Sequence, residues 1–389
     1  MKNGYKTIIE HFQYILENPH EYAKSWTQRT GQLLSGFMCT HIPEEILYAA
    51  GILPVRILSS PLPQAITRSY VHETYCSYSH GCAYQGLQHN YDYLDLIVMG
   101  STCFHISEAF NVWIRFAEFQ QKSYLIQFPH LMHNRGATEF LAESFGEFKQ
   151  FIEKFTGKSI TNDDLKKSIE IYNYNRSLLR KLWEFLKREN PPITGLEAAT
   201  VTLASQVMDK QECNQMLIRL IQELETEPGR VLGIRLMAIG GACDDLRFFD
   251  LIEHLNYSAS LIFSESCTGA RYFWFEVPEN RPDKLGALAE GYLSRIPCAA
   301  KDNVPGTGER KRLKLIQQLI EDFRPDGIMF THQRFCSPHP HDAAVIKQFL
   351  DNLGIPSYEF ELDSTIPAGQ FKTRLEALIE TLPQVTPLK

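Results

Sequence analysis

Runs of apolar residues that close in a small or polar turn and then deliver a cysteine recur along this chain. DLIVMGSTC ends at Cys103, ASLIFSESC at Cys267 and DGIMFTHQRFC at Cys336. The apolar cores LIVM, LIF and IMF carry no polar interruption, so each reads as a strand buried on both faces. Strands of that kind occur almost only in parallel sheets covered by helices, because parallel neighbours must be joined by a crossover. The remaining strand patterns, LLSGFMC, LPVRIL, SYLIQF, VLGIRLMAIGG and SYEFEL, alternate with helical ones. In ERKRLKLIQQLIEDF, for instance, Leu313, Ile316, Leu319, Ile320 and Phe323 share one face.

The alternation stops between about Thr138 and Glu225, where the reading is almost wholly helical, and resumes at Pro228-Gly229. The expected architecture is therefore α/β, with two doubly wound parallel-sheet lobes joined by a mainly helical segment. The boundaries are residues 1–137 for an N-terminal lobe with a leading helix, 138–227 for the connector and 228–389 for the C-terminal lobe.

Charge narrows the partners. With 39 basic and 46 acidic residues and no long single-sign block, the chain has no electrostatic footprint for nucleic acid or an anionic membrane. Its N-terminal segment TIIEHFQYILENPHEY is amphipathic rather than continuously apolar, and no run approaches the ~20 residues that span a bilayer. A cytoplasmic location is expected. PGTGERK, at 305 to 311, lacks the lysine and hydroxyl arrangement of a phosphate loop, and no G-x-G-x-x-G opens the first βα unit. Neither nucleotide hydrolysis nor a nicotinamide site is expected of this chain.

Nine cysteines in a reducing compartment form no disulfide framework. Ligands in open α/β sheets collect outside the carboxyl ends of the strands, and Cys39, Cys103, Cys243, Cys267 and Cys336 all fall at such ends. Cys76 and Cys82 lie in the aromatic connection ETYCSYSHGCAY, Cys213 sits in a helical pattern and reads as structural, and Cys298 follows Ile296-Pro297 after a helix. Thiols from two lobes facing one another across a cleft can share an inorganic centre. The close C-x(2-4)-C pairs of structural zinc are absent, the nearest pair being Cys76-x5-Cys82, so an iron-sulfur cluster is the better expectation. His41 and His105 are candidate proton donors or thiolate partners, Arg271 a candidate anion holder, and His339 and His341 in SPHPHD read as a solvated turn.

Taken in order, SGFMCTHIPEEILYAAGILPVRIL, TYCSYSHG, MGSTC, SESCTGAR, DGIMFTHQRFCSP, LGIPSYEFELD and GQFKTRLEALIE resemble the 2-hydroxyacyl-CoA dehydratase and benzoyl-CoA reductase superfamily over residues 30 to 380. The resemblance implies a metal cluster in the cleft between the lobes. In dehydratase subunits like the 2-hydroxyglutaryl-CoA dehydratase D-component, three cysteines hold a 4Fe-4S cluster with an open fourth position; they match Cys76, Cys103 and Cys336. It also implies a separate ATP-hydrolysing iron-sulfur activator that delivers one low-potential electron at a time, and a homodimer or a heterodimer with a related subunit. Phe104 follows Cys103 and Ser337 follows Cys336 where the family often has aspartate. Cys39, Cys243 and Cys267 add three thiols. Six candidate ligands resemble the branch with a double-cubane 8Fe-9S cluster, which reduces small molecules. A 4Fe-4S dehydratase or aryl-CoA reductase subunit taking an acyl-CoA substrate is the alternative, and a non-catalytic cluster-bearing or zinc-bearing scaffold a third. Cys82 or Cys298 stands as a substitute for Cys243 as the sixth ligand.

Overall fold

The computed structural model describes residues 4–60, 65–255, 257–302, 310–363 and 368–382; positions 305–309 of the PGTGERK stretch lie outside them. The strand patterns become β1 (Leu33–Phe37), β2 (Ile52–Arg56), β3 (Leu96–Gly100), β4 (Ser123–Ile126), β5 (Ile234–Gly240), β6 (Ala259–Glu265), β7 (Gly327–Gln333) and β8 (Ser357–Leu362). They form two four-stranded sheets, ordered β2-β1-β3-β4 and β6-β5-β7-β8, in which every pair is parallel. All residues of β2, β3, β6 and β7 are buried, as unalternating apolar runs require.

The two orders share one topology. From β1 the chain leaves to one side to form β2, then returns past β1 to form β3; β5, β6 and β7 repeat the path. The switch points therefore fall between β1 and β3 and between β5 and β7, and crevices open at their carboxyl ends. Close approach at these ends requires glycine. A Cβ on Gly100 would lie 2.0 Å from the His41 carbonyl oxygen, and one on Gly240 would lie 1.8 Å from that of Thr331.

The helical block is Ala137–Thr156, Asn162–Glu184, Gly195–Ala204 and Lys210–Thr226. Capping boxes start two of its helices: Thr161 with Asp164, and Thr194 with Glu197. The block is tied to both sheets. Arg176 donates to Glu45 Oε1 at 2.5 Å, and the Trp183 ring meets Phe263 of β6 edge-on with centroids 5.6 Å apart. The leading segment is two helices, Gly4–Glu17 and Pro19–Thr30, because Pro19 cannot continue the first.

Two elements differ from the sequence expectation. SYSHGCAYQGL forms a helix, Ser77–Leu87, where a connection is expected. SPHPHD is no solvated turn: Pro338 opens the helix Pro338–Leu353, its fixed φ suiting the first helical position, and His339 is buried in the first turn.

Candidate metal centre

A cavity of about 1000 Å³ lies where the two sets of carboxyl ends face each other. Six cysteines line it: Cys39, Cys76 and Cys103 from the first lobe, Cys267, Cys298 and Cys336 from the second. Cys243 does not. Its N–H donates to Thr268 Oγ1 at 3.1 Å and its carbonyl accepts from that hydroxyl at 2.8 Å, which folds the loop onto β6; the residue lines a separate cavity of about 530 Å³ beside Asp244. Cys82 and Cys213 are fully buried outside both cavities, the latter 3.5 Å from Asn175 Nδ2.

Three of the six stand at helix N-termini. Cys76 is the N-cap of Ser77–Leu87, Cys103 is the N-cap of Phe104–Phe116, and Cys336 directly precedes Ser337, the N-cap of Pro338–Leu353. The unpaired N–H groups and dipoles of such ends favour a thiolate. Burial pushes all three thiols up, and for Cys103 and Cys336 the charge of Cys76 adds to it, so they lie within reach of one another's fields. Cys336 N donates to the Gln333 carbonyl at 2.9 Å, a turn that holds Phe335 at φ 62. A left-handed backbone costs a non-glycine residue roughly 1–2 kcal/mol, and here it aims the following thiol into the cavity.

The other three have a different setting. Cys298 hydrogen-bonds to Cys267, and that bond holds the Cys267 thiol well below its ordinary range against the effect of burial, with the Arg271 and Arg56 charges adding. Arg271 Nη1 lies 3.3 Å from Cys267 Sγ, and Arg56 Nη1 donates to the Cys267 carbonyl at 2.9 Å. Arg295 donates to the carbonyl and hydroxyl of Thr40, next to Cys39, at 2.6 and 2.8 Å. Lys301 closes a backbone turn onto the Cys298 carbonyl at 2.8 Å.

The histidines take distinct positions. His339 Nδ1 is 3.2 Å from Cys336 Sγ, its Nε2 faces Arg271, and it forms with Cys267 and Cys298 a set of ligand atoms all within 4.8 Å. His105 Nδ1 accepts the Cys76 N–H at 3.1 Å, so its proton is on Nε2, and its ring stacks on Tyr75. His41 Nδ1 is 3.5 Å from Cys39 Sγ, while its buried Nε2 has no partner among the described residues. Burial lowers the pKa of both His41 and His105, joined at His41 by Arg295, Lys301 and Arg271, so both are neutral near pH 7. His341 bonds the Ser337 carbonyl and is exposed.

Charge is the sharpest test of what this cavity suits. Arg56, Arg295 and Lys301 are at most 2% exposed, yet their hydrogen bonds among the described residues go to carbonyls, Gln206, Tyr78 and Thr40, never to a carboxylate. Buried charges need counter-charges. Six thiolates around one cavity supply anionic, soft sulfur ligands, so the donor set and the unbalanced cations fit an anionic iron-sulfur centre. Arg56, Arg295 and Lys301 were outside the sequence expectation; the lone arginine ending the apolar strand LPVR is the one signal for Arg56.

Comparison with known proteins finds matches along nearly the whole chain. Residues 39–382 match the family model described as 2-hydroxyglutaryl-CoA dehydratase, D-component. The chain is 26% identical to the (R)-phenyllactyl-CoA dehydratase beta subunit of Clostridium sporogenes, over 98% of this chain and all of that one. It is 24% identical to the (R)-2-hydroxyglutaryl-CoA dehydratase subunit beta of Acidaminococcus fermentans, over 96% and 99%, and 23% identical to a subunit of the benzoyl-CoA reductase of Thauera aromatica, over 81% and 82%.

Proposed function

The chain belongs to the 2-hydroxyglutaryl-CoA dehydratase D-component family, and on that premise we propose that it is an iron-sulfur-dependent reductase whose cavity thiols hold a double-cubane 8Fe-9S cluster. The ligands are Cys76, Cys103 and Cys336 as one set and Cys39, Cys267 and Cys298 as the other, with Cys298 in the place first expected of Cys243. The observation that carries this reading is the number of thiols on one cavity, six, where a single site-differentiated 4Fe-4S cluster uses three.

When bound, the cluster supplies electrons at low potential and exposed iron or sulfide to a small substrate. The protein's own groups do the rest. Helix N-termini and buried guanidinium groups offset the sulfur charge, and burial away from the exposed Phe104 side strengthens those interactions. His41, a cavity-lining residue, keeps a buried Nε2 without a partner among the described residues, and His105 fixes the Cys76 backbone while keeping a proton on Nε2. Either can donate a hydrogen bond to a bound substrate without carrying charge. Electrons would come one at a time from a separate ATP-hydrolysing iron-sulfur activator, and the chain would act as a homodimer or beside a related subunit in the cytoplasm. No helix among the described residues is long and apolar enough to cross a membrane.

Anaerobic iron and acid-labile sulfide counts test the reading. About eight irons per chain, with slightly more sulfide, supports it; about four supports the second reading, and zinc alone a scaffold. The second reading, a 4Fe-4S dehydratase or aryl-CoA reductase subunit for an acyl-CoA, is favoured by full-length similarity to named dehydratase beta subunits. Against it, the mouth position after Cys103 carries Phe104, 84% exposed, where the family often has aspartate.

A further inference from the structure

The two thiol sets differ in the source of their positive potential, and the difference has a redox consequence. Cys76, Cys103 and Cys336 have helix N-termini. Each is equivalent to about half a positive charge at most and is screened where solvent enters, as it does beside the exposed Phe104. Cys39, Cys267 and Cys298 have whole cations instead. Arg56 bonds the Cys267 carbonyl, Arg295 bonds Thr40 next to Cys39, and Lys301 is one turn beyond Cys298. All three are buried with no hydrogen-bonded carboxylate among the described residues, and Arg56 and Arg295 each keep a buried Nε without a partner; the buried Asp244 carboxylate, which feels the Arg56 charge, offsets part of it, while Arg295 and Lys301 have no such neighbour. Arginine does not discharge in proteins.

Other cations nearby are neutralised. Arg271 pairs with Glu265 at 2.8 Å, and Arg310, which lines the mouth, lies 3.2 Å from Asp342 and 3.6 Å from Asp302. The remaining positive charge thus falls chiefly on one set of thiols: Lys301 acts most on Cys298 and Cys39 and less on Cys103. Cys39 lies nearest the boundary, since Thr102 Oγ1, adjacent to Cys103, donates to its sulfur at 3.4 Å; it shares Arg56 and Arg295 with Cys267.

We propose that Arg56, Arg295 and Lys301 make the cluster half held by Cys39, Cys267 and Cys298 the first to be reduced, leaving the half on the three helix N-termini as the lower-potential one. The step is a single-electron transfer: one ferric iron of that half becomes ferrous, the donor loses one electron, and no bond to protein breaks. The inference rests on the double-cubane reading above.

The test is an EPR-monitored redox titration of the anaerobically reconstituted full chain with titanium(III) citrate, comparing parent, Arg56→Gln, Arg56→Lys and Lys301→Met, with iron counted in each. Cys298→Ala assigns the couples: the signal it alters or abolishes belongs to the Cys39, Cys267, Cys298 half. The expected result is that this couple is the higher of the two. Arg56→Gln and Lys301→Met should each weaken its reduction by tenfold or more, about 59 mV for one electron, and Arg56→Lys should restore most of the loss. The other couple should move by less than half as much. Full iron with both couples shifting equally, with neither shifting, or with the Cys298→Ala-sensitive couple lower overturns the assignment while the double cubane stands. A parent count of about four irons overturns the double-cubane reading itself, and this inference with it.

Discussion

Exchanging single cysteines separates the two lobes' contributions most sharply at Cys298 and Cys243. Cys298 lines the shared cavity, and its ligand atom lies within 4.8 Å of those of Cys267 and His339. Cys243 is buried at 2% exposure on a loop locked to Thr268, and its neighbour Asp244 bonds Ser59 at 2.7 Å. Cys298→Ala removes one of three thiols from one set, so iron should fall from about eight to about four per chain, with the Cys76, Cys103, Cys336 half retained. Cys243→Ala should leave iron unchanged. It removes one buried heavy atom and should cost on the order of 1–2 kcal/mol, seen as a modest drop in the melting midpoint. Iron and sulfide counts after anaerobic reconstitution, with the visible spectrum, read both variants. Halved iron in Cys243→Ala with full iron in Cys298→Ala would refute the ligand assignment, and complete loss of iron in Cys298→Ala would refute the division into two sets.

Three further substitutions probe the frame that holds these thiols. Glu265→Gln breaks a fully buried hub in which Glu265 accepts from Arg271 Nε at 2.8 Å and from both Arg312 nitrogens at 2.7 Å. A loss of about 3–5 kcal/mol is expected, and thermal unfolding within about one degree of the parent would contradict it. Gly100→Ala drives a methyl to 2.0 Å from the His41 carbonyl oxygen and into the Phe128 ring, forcing apart the Cys39 and Cys103 turns. It should cost about 1–3 kcal/mol and lower iron occupancy together, and full iron content would show that the turns tolerate the shift. Thr194→Ala removes the cap from Gly195–Ala204 and should cost about 0.5–2 kcal/mol in thermal stability with no change in iron, since no residue of that helix lines the thiol cavity.

How far the sequence discloses the site depends on which residues announce themselves locally. Cys39, Cys103, Cys267 and Cys336 follow apolar strands, and the carboxyl-end rule places them at the crevice without knowledge of the fold. The same rule selects Cys243 after β5, a residue that lines the neighbouring cavity instead. β1 and β5 are topologically equivalent, but the Thr268 hydroxyl on the neighbouring turn captures the loop after β5 through both backbone groups of Cys243. Cys298 follows a helix rather than a strand, so no periodicity marks it. The helix that Cys76 caps is built of serine, glycine, tyrosine and histidine, weak helix formers whose pattern resembles a connection; packing under Trp113, whose Nε1 donates to the Cys82 carbonyl at 2.8 Å, overrides that preference. His339 reads as solvated because two prolines flank it, yet a proline at the first helical position starts a helix and turns the imidazole inward. That no carboxylate hydrogen-bonds Arg56 or Arg295 is a property of space alone, as acidic residues outnumber basic ones in the sequence.

On the proposed cluster, that imbalance would make cluster binding and folding a linked equilibrium. Without a cluster, Cys267 is the thiol held toward the thiolate, while Arg56, Arg295 and Lys301 all remain buried. Each uncompensated buried charge costs several kcal/mol, so the metal-free chain carries a strain that anionic ligand sulfur removes. Arg56→Gln should therefore act in opposite directions on the two forms. It relieves the metal-free protein of one unpaired charge while removing an attraction from the loaded one. The gap between the melting midpoints of loaded and metal-free protein should be wide in the parent and narrower in Arg56→Gln, chiefly because the metal-free variant melts as high as the metal-free parent or higher. A uniform fall in both forms would mean that Arg56 acts through its bonds to Gln206 and the Cys267 carbonyl, and that its charge is balanced by something other than the cavity's sulfur.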